Sequence, residues 1–189
     1  MFSRYFRLKS HWTIEADIAD VAAILSRPED FPRWWGSVYR QAEILIEGRP
    51  DGIGREVAVR SRGFLPYELN WMAKFIVSEM PRRWIVEARG DLKGIGIWTL
   101  TQRGSQTLIE FDWRVMAERP LFRLMAPVLK PLMAANHRWA MAKGLEGLTA
   151  ELAEKKGWRV MADEAKSLGP MRPKALHPSP QGLLVNQGS

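Results

Sequence analysis

Residues 38–116 alternate between apolar and polar side chains in short segments, and this alternation limits the fold more than any other feature. In the segment 67–77, every second residue is apolar, whereas Glu68 and Lys74 lie between them. A period of two predicts half-buried β-strands. The short connecting turns predict antiparallel neighbours. The separation of apolar from charged residues predicts a sheet with one packed face and one face in water.

The chain begins with the same alternation over residues 6–14 and then changes to a helical pattern. Asp17 is the predicted N-cap of a short helix, since its side chain can accept a hydrogen bond from the first turn. This helix ends near Pro28, because the residue before a proline is disfavoured in helical geometry. A second short helix or turn is predicted at residues 29–36. The sequence does not indicate which side of the strand at residues 95–101 faces inward.

The last long element, residues 121–152, is a predicted helix whose apolar residues recur at a spacing near 3.6. Pro127 and Pro131 lie inside it and predict a kink in its first part. Proline and glycine are frequent after it, and few residues remain to be buried. Residues 157–189 are therefore predicted to form a flexible tail that follows a single domain, residues 1–156. This order of strands and helices predicts an α+β fold.

Three stretches carry a resemblance to a known family: Trp12-Thr13-Ile14-Glu15-Ala16 followed by Asp20-Val21-Ala22-Ala23-Ile24-Leu25, then Asp30-Phe31-Pro32-Arg33-Trp34-Trp35, and Gly104-Ser105-Gln106-Thr107. They resemble the first strand and helix, the turn and the last hairpin of the START-like (SRPBCC, polyketide cyclase/dehydrase-like) superfamily. The resemblance implies the helix-grip fold, in which a curved antiparallel sheet of six or seven strands wraps around a long C-terminal helix. Two short helices follow the first strand in that fold.

The same resemblance implies a cavity between sheet and helix that binds sterols, lipids, polyketides, quinones or other apolar molecules. This superfamily shares no catalytic motif, so the resemblance transfers no catalytic residue.

Composition excludes several kinds of site. The chain of 189 residues has no cysteine, which excludes disulfides, thiolate metal sites and cysteine nucleophiles. The net charge of +7 comes from interspersed residues, which favours a solvated surface over a nucleic-acid partner. No run reaches the roughly 18 apolar residues that span a bilayer. The N-terminus lacks the apolar middle of a signal peptide, and a cytoplasmic location is predicted.

The histidines indicate no catalytic or metal site. His11 is on the polar side of the first strand, and His177 is in the predicted tail. His137 lies about 140° around the helix from Leu132, so it is predicted to face solvent. No cluster has the spacing of metal ligands. We therefore predict no catalytic residue, no metal and no cofactor.

Nine tryptophans in a chain of this size favour a large aromatic-lined interior. The predicted cavity residues are inward-facing members of the strands and of the helical stripe: Val59, Ser61, Tyr67, Leu69, Trp71, Trp84, Phe111, Trp113, Leu132, Ala135 and Trp139. Phe64 and Leu65 are predicted to form an apolar lip at the cavity mouth. Trp34 and Trp35 are predicted to pack in the turn beneath the sheet. A solid core and an ordinary packed turn are the alternatives.

Three functions remain open. The preferred one is binding or carriage of a small hydrophobic or aromatic molecule, because the inward-facing side chains are apolar and tryptophan is in excess. The hydroxyl groups of Ser61 and Tyr67 leave room for an enzyme, but they have no neighbouring base. The second is a cofactor-independent cyclase or aromatase that acts by positioning a reactive chain. The third is a membrane or protein docking module that uses the apolar segment 121–133. The oligomeric state has no signal in the sequence.

Overall fold

The structure, a computed structural model, describes residues 5–117 and 126–167. The strands are β1 (Tyr5–Ile14), β2 (Tyr39–Ile46), β3 (Glu56–Ser61), β4 (Leu69–Glu79), β5 (Arg83–Gly90), β6 (Leu92–Arg103) and β7 (Gln106–Ala117). The helices are α1 (Ile18–Leu25), α2 (Phe31–Trp34) and α3 (Ala126–Ser167), with a 3-10 turn at Pro28–Asp30. The chain divides into two compact units, Met1–Lys155 and Lys156–Ser189. Most of the predicted tail, residues 157–189, lies outside the described residues.

All seven strands form one antiparallel sheet in the order β1-β7-β6-β5-β4-β3-β2. Neighbours in sequence pair from β2 to β7, and β1 pairs with β7 along its whole length. The two edge strands are therefore β1 and β2, and the segment that contains α1 and α2 crosses from one edge to the other. The sheet curves around α3. This is the predicted helix-grip α+β fold, with seven strands among the described residues.

The first strand and α1 form where the alternation and the capping signal predict them. Trp12 and Ile14 on β1 are buried, whereas His11 and Thr13, which alternate with them, are exposed. Asp17 caps α1, since its carboxylate accepts a hydrogen bond from the backbone N–H of Ala19 at 2.8 Å. A cap of this kind contributes about 1 kcal/mol to helix stability.

The turn that holds two adjacent tryptophans fastens α3 to the end of the sheet. Trp35 is 3% exposed, and its Nε1 donates a hydrogen bond to the carbonyl oxygen of Ala140 at 2.9 Å. Arg33 donates two hydrogen bonds of 2.6 Å to the carboxylate of Glu151. Such bidentate pairs fix geometry as well as contributing energy. The turn therefore packs against α3.

A bulge in β4 turns one side chain, that of Val77, to the face of the sheet opposite to the one that the alternation predicts. The pairing with β5 shifts between Phe75 and Val77, and Ile76 between them is 39% exposed. An inserted residue changes the phase of the alternation. Val77 then lies opposite Ile85, on the face away from Trp84, because successive side chains in a strand point to opposite faces. The prediction that Val77 points inward is wrong.

The inward face of β6, which the sequence leaves open, is the one that carries Trp98. Leu92, Gly96, Trp98 and Leu100 are buried, whereas Lys93 is exposed. The alternation is hard to read in the sequence because isoleucines occupy the outward positions between these residues and two glycines occupy inward ones.

α3 presents a different face to the strands from the one that its hydrophobic stripe predicts. Met133, His137 and Met141 line the side that faces the sheet, and the prediction that His137 faces solvent is wrong. This face is displaced from the predicted one by about one residue, or 100° around the helix. The predicted stripe residues do not line the space between helix and sheet: Leu132, Ala135 and Trp139.

Two glycines explain the displaced face. A Cβ atom added at Gly144 would lie 2.4 Å from the indole of Trp35, and one at Gly147 would lie 2.1 Å from the carbonyl oxygen of Trp34. Only glycine permits so close an approach, so this side of α3 is in direct contact with the tryptophan turn. Because glycine has no apolar side chain, these two positions do not contribute to the hydrophobic stripe. The stripe therefore fails to identify the side of α3 that packs against the turn.

The segment predicted to contact a membrane, residues 121–133, is described only in part: residues 121–125 lie outside the described residues, and residues 126–133 belong to the first turns of α3. At its end, Pro131 is exposed and Met133 is buried. Within residues 5–117 and 126–167, no helix is long and apolar enough to cross a membrane.

Candidate functional site

A cavity of about 140 Å³ lies between the concave face of the sheet and α3. One water needs roughly 10–15 Å³ of such space, so the cavity is large enough for a guest several times the size of water. Arg62, which is exposed, and the adjacent Gly63 belong to its wall. The cavity therefore reaches the surface beside the loop between β3 and β4.

The wall of the cavity is aromatic and aliphatic. Five tryptophans contribute to it: Trp35, Trp71, Trp84, Trp98 and Trp113. Met133 and Met141 face the strands from α3. A wall of this kind favours an apolar guest by about 25 cal/mol for each Å² of apolar surface buried, less the free energy needed to order the guest.

One row of aromatic rings crosses three strands of the wall. Trp84, Trp98 and Phe111 occupy facing positions on β5, β6 and β7. The ring centroids of Trp84 and Trp98 are 5.9 Å apart at 19°, and those of Trp98 and Phe111 are 4.2 Å apart at 23°. Because the stack runs from strand to strand, the rings stand on the sheet and present their edges to α3. Ring edges are electropositive and attract the face of another aromatic ring.

A glycine lies beneath two of the rings in this wall. A Cβ atom added at Gly96 would lie 2.8 Å from the indole of Trp113 and 3.0 Å from the ring of Phe111. The ring centroids of Trp113 and Trp71 are 5.7 Å apart, and Trp71 Nε1 donates a hydrogen bond to Ser61 Oγ at 3.0 Å. The Ser61 hydroxyl thus holds an indole of the wall in place.

Six of the predicted cavity residues line this cavity: Ser61, Leu69, Trp71, Trp84, Phe111 and Trp113. Five do not: Val59, Tyr67, Leu132, Ala135 and Trp139. Val59 is buried in a small neighbouring cluster, and the Tyr67 hydroxyl donates a hydrogen bond to Met133 Sδ at 3.2 Å. The three helical residues are excluded by the displaced face of α3. Ligand contact by the six that line the cavity stays a prediction.

The predicted lip residues, Phe64 and Leu65, are not part of the cavity wall. Phe64 is 44% exposed, and its ring meets that of Trp139 edge-on with centroids 6.2 Å apart. Its backbone N–H donates a hydrogen bond to Asn136 Oδ1 at 2.9 Å. This bond fixes the loop to α3 so that Gly63, rather than the apolar pair after it, borders the cavity.

Among the residues that line the cavity without having been predicted are Trp35, Trp98, Asn136 and His137. A signal for Trp98 exists, because Gly94 and Gly96 share its parity and a glycine inside a strand indicates close approach of another group. No comparable signal in the sequence distinguishes Trp35, which lines the cavity, from Trp34, which does not. His137 and Asn136 depend on the rotation of α3, which the hydrophobic pattern does not encode.

His137 brings a titratable ring into the cavity wall. Its Nε2 lies 3.0 Å from Ser10 Oγ, and its ring is within 23° of parallel to that of Phe111, with centroids 6.3 Å apart. Ser10 itself does not line the cavity, so it holds the imidazole from behind. Burial first, and then the charge of Arg138, lower the pKa of His137 to about 4. The imidazole is therefore neutral at pH 7.

The charged side chains of β7 lie on the outer face of the sheet, away from the cavity. Asp112 accepts hydrogen bonds from Arg7 at 2.9 Å and from Arg114 at 2.6 Å, and these partners hold the pKa of its carboxyl well below the usual range. No group of three or more histidine, cysteine, aspartate or glutamate side chains in the described parts of the chain is arranged to hold a metal ion.

We expect the protein to lose stability as the pH falls from about 6.5 to about 4, because His137 is buried in its neutral form. The unfolded chain takes up a proton near the ordinary histidine pKa of 6.5, whereas the folded protein does so only near pH 4. The unfolded state therefore binds more protons in this window, and its relative stability increases as the pH falls. The expected loss is about 1–2 kcal/mol between pH 6.5 and about pH 5.

Chemical denaturation at pH 7.5 and at about pH 5 measures this loss. The variant His137→Gln retains a group that can bond to Ser10 but does not titrate, and it should lack this part of the pH dependence. An equal loss in both proteins would assign the effect to the carboxylates instead.

A family model described as polyketide cyclase / dehydrase and lipid transport matches residues 6–153. No curated protein sequence matches the chain.

Several solved structures have this arrangement at low sequence identity. A START superfamily protein from Mycobacterium smegmatis has a TM-score of 0.64 at 14% identity, over 78% of this chain and 97% of that one. An aromatase/cyclase from a Streptomyces species has a TM-score of 0.59 at 15% identity, over 78% and 93%. Norcoclaurine synthase from Thalictrum flavum, in complex with dopamine and hydroxybenzaldehyde, has a TM-score of 0.54 at 16% identity, over 79% and 87%. At these identities the likeness shows the fold alone.

Proposed function

Because the chain belongs to the polyketide cyclase/dehydrase and lipid-transport family, we propose that it binds and carries a small hydrophobic or aromatic molecule in the cavity between the sheet and α3. The observation that carries the proposal is the tryptophan-lined space of about 140 Å³. Protein interiors are normally packed as densely as organic crystals, and unfilled space lowers stability. A hollow retained among so many large side chains supports a guest.

The arrangement of the wall supports a compact aromatic ligand more than a long lipid chain. The row formed by Trp84, Trp98 and Phe111 offers ring edges, which bind the flat face of another ring in an edge-to-face contact worth about 0.5–1.5 kcal/mol beyond area burial. Among proteins of the same fold, norcoclaurine synthase was solved with two small aromatic molecules bound. A quinone or a polyketide-derived aromatic is a guest of this kind.

Tryptophan fluorescence provides the test. The full chain is titrated with a short-chain quinone, a hydroxylated polycyclic aromatic, naphthalene and a medium-chain fatty acid. We expect saturable quenching by at least one of the compact aromatics, because indoles such as those of Trp98 and Trp113 border the cavity. Free tryptophan in the same solutions corrects for absorption by the ligand. A panel that produces no saturable change would contradict the proposal.

A second function, a cofactor-independent cyclase or aromatase, is supported by one observation. The neutral imidazole of His137 borders the cavity, and a neutral histidine within reach of a ligand can take up a proton as a general base. Mass spectrometry of the same mixtures would detect a product that forms only with the protein. Binding without a product favours the carrier.

Two further predictions stay predictions. Docking to a membrane or a protein through residues 121–133 rests on a segment whose first part, residues 121–125, lies outside the described residues. The cytoplasmic location rests on the sequence alone.

A further inference from the structure

We propose that His137 recognises a hydroxyl group on the ligand, so that the ligand class is planar phenols rather than aromatic hydrocarbons or carboxylic acids. The inference rests on the proposed binding function and specifies the ligand for the same cavity. His137 borders the cavity next to apolar groups, with Met133 and Met141 one turn away on either side and the Phe111 ring beside it. A polar ring in such a wall is a means of selecting among apolar guests.

The two ring nitrogens of His137 have different surroundings. Nε2 is paired with Ser10 Oγ at 3.0 Å, and Ser10 lies behind the cavity wall. Nδ1 has no hydrogen-bond partner among the residues that the structure describes. Buried polar atoms are almost always hydrogen-bonded, to protein or to water. Nδ1 is not among the fully buried polar atoms that lack a partner, so water reaches it, and a guest that displaces this water has to provide the hydrogen bond instead.

The Ser10 hydroxyl allows either tautomer of His137. A neutral imidazole has one N–H donor and one acceptor nitrogen, and a serine hydroxyl can fill either role. Nδ1 is therefore a donor when Nε2 accepts from Ser10, and an acceptor when Nε2 donates. A hydroxyl group on the guest satisfies both cases because it donates and accepts. A carbonyl group satisfies only one of them, and a hydrocarbon satisfies neither.

A carboxylate fits this position poorly because it needs a cation or several donors. The imidazole is held neutral by burial, and Arg62, the cation that the described part of the chain contributes to the wall, is exposed to water. The aromatic row provides the other half of the recognition. Phe111 lies between Trp98 and the imidazole, so a flat guest placed across the ring edges has its rim near His137.

Binding of ring-matched probes to the full chain tests this inference. The dissociation constants of naphthalene, 2-naphthol and 2-naphthoate are measured at pH 7.5 by tryptophan fluorescence, for the wild type and for His137→Phe, His137→Gln and Ser10→Ala. His11→Phe is the matched control, because His11 is the exposed histidine next to Ser10 on β1.

We expect the wild type to bind 2-naphthol about tenfold or more tightly than naphthalene, since an apolar guest leaves a buried nitrogen without a partner. In H137F this preference disappears, because 2-naphthol loses its hydrogen bond and naphthalene no longer leaves a ring nitrogen without a partner. H137Q, which retains a donor and an acceptor, keeps most of the preference. S10A reduces it severalfold by freeing the ring, and H11F leaves it unchanged.

A second measurement does not depend on the folding of any variant. The chain has three histidines, so ¹⁵N spectra of histidine-labelled wild type are simple to assign. Addition of 2-naphthol should shift the ring signals of His137 and leave those of His11 unchanged.

The results that would contradict the inference differ from those that would contradict the proposed function. Equal affinity for naphthalene and 2-naphthol, with no shift of the His137 signals, would overturn the inference and leave the carrier function intact. Tighter binding of 2-naphthoate that H137F does not change would also overturn it, and would assign recognition to Arg62. Failure of all three probes to bind the wild type would count against the proposed function itself.

Discussion

Replacing Gly144 or Gly147 by alanine is expected to lower the free energy of unfolding by about 2–3 kcal/mol in each case. This change in the free energy of unfolding has the opposite sign to that of a glycine-to-alanine substitution in an ordinary helix. Alanine is normally favoured over glycine inside a helix by about 1 kcal/mol, because glycine loses more conformational freedom on folding. In α3 the added methyl group would overlap with neighbours that cannot move aside.

The two positions differ in what the methyl group meets. At Gly144 it would lie 2.4 Å from the indole of Trp35, which is almost fully buried and bonded to the carbonyl oxygen of Ala140. At Gly147 it would lie 2.1 Å from a backbone oxygen, that of Trp34. In both cases α3 has to move away from the tryptophan turn, and contacts along the helix are lost.

Gly157→Ala is the matched control, because a Cβ atom at this position of the same helix meets nothing within 4 Å. Urea denaturation followed by circular dichroism measures all three variants, and G157A should show no loss of stability. If G144A and G147A also lost less than about 0.5 kcal/mol, as surface substitutions do, then α3 would not rest on the tryptophan turn as the structure has it.

The sheet is predictable from sequence because each strand carries its own signal. The alternation along β3, β5 and β7 records which side chains face the core, and the turns between strands limit the pairing to neighbours. The bulge at Ile76 is the exception. It depends on how β4 fits β5, so Val77 retains an apolar side chain at the expected spacing although it faces the other way.

The cavity is less predictable because it depends on relations between elements. Trp84 and Phe111 can be assigned from their own strands, but the row that they form requires Trp98, whose strand has apolar residues on both sides. The rotation of α3 depends on the close approach at Gly144. His137 therefore enters the wall although the pattern of large apolar residues predicts that it faces solvent.

Ala140→Phe is expected to weaken guest binding by about a hundredfold or more, while the free energy of unfolding stays the same or increases. Ala140 lines the cavity from α3, and a benzyl group at this position would occupy space that the guest needs. Overlap of this kind costs several kcal/mol, and each 1.4 kcal/mol corresponds to a tenfold change in affinity. Filling an existing cavity commonly adds about 0.5–2 kcal/mol to stability.

The hydrogen bond between Trp35 and Ala140 is unaffected by the substitution, because the acceptor is the backbone carbonyl. Ala142→Phe is the control, since Ala142 is exposed on the same helix and the same side chain placed there should leave binding unchanged. The two measured quantities together identify the role of the space. Greater stability with lost binding means that the protein retains a hollow for its ligand at the expense of its own stability. Greater stability with unchanged binding would mean that the hollow is a packing defect and that the guest binds elsewhere.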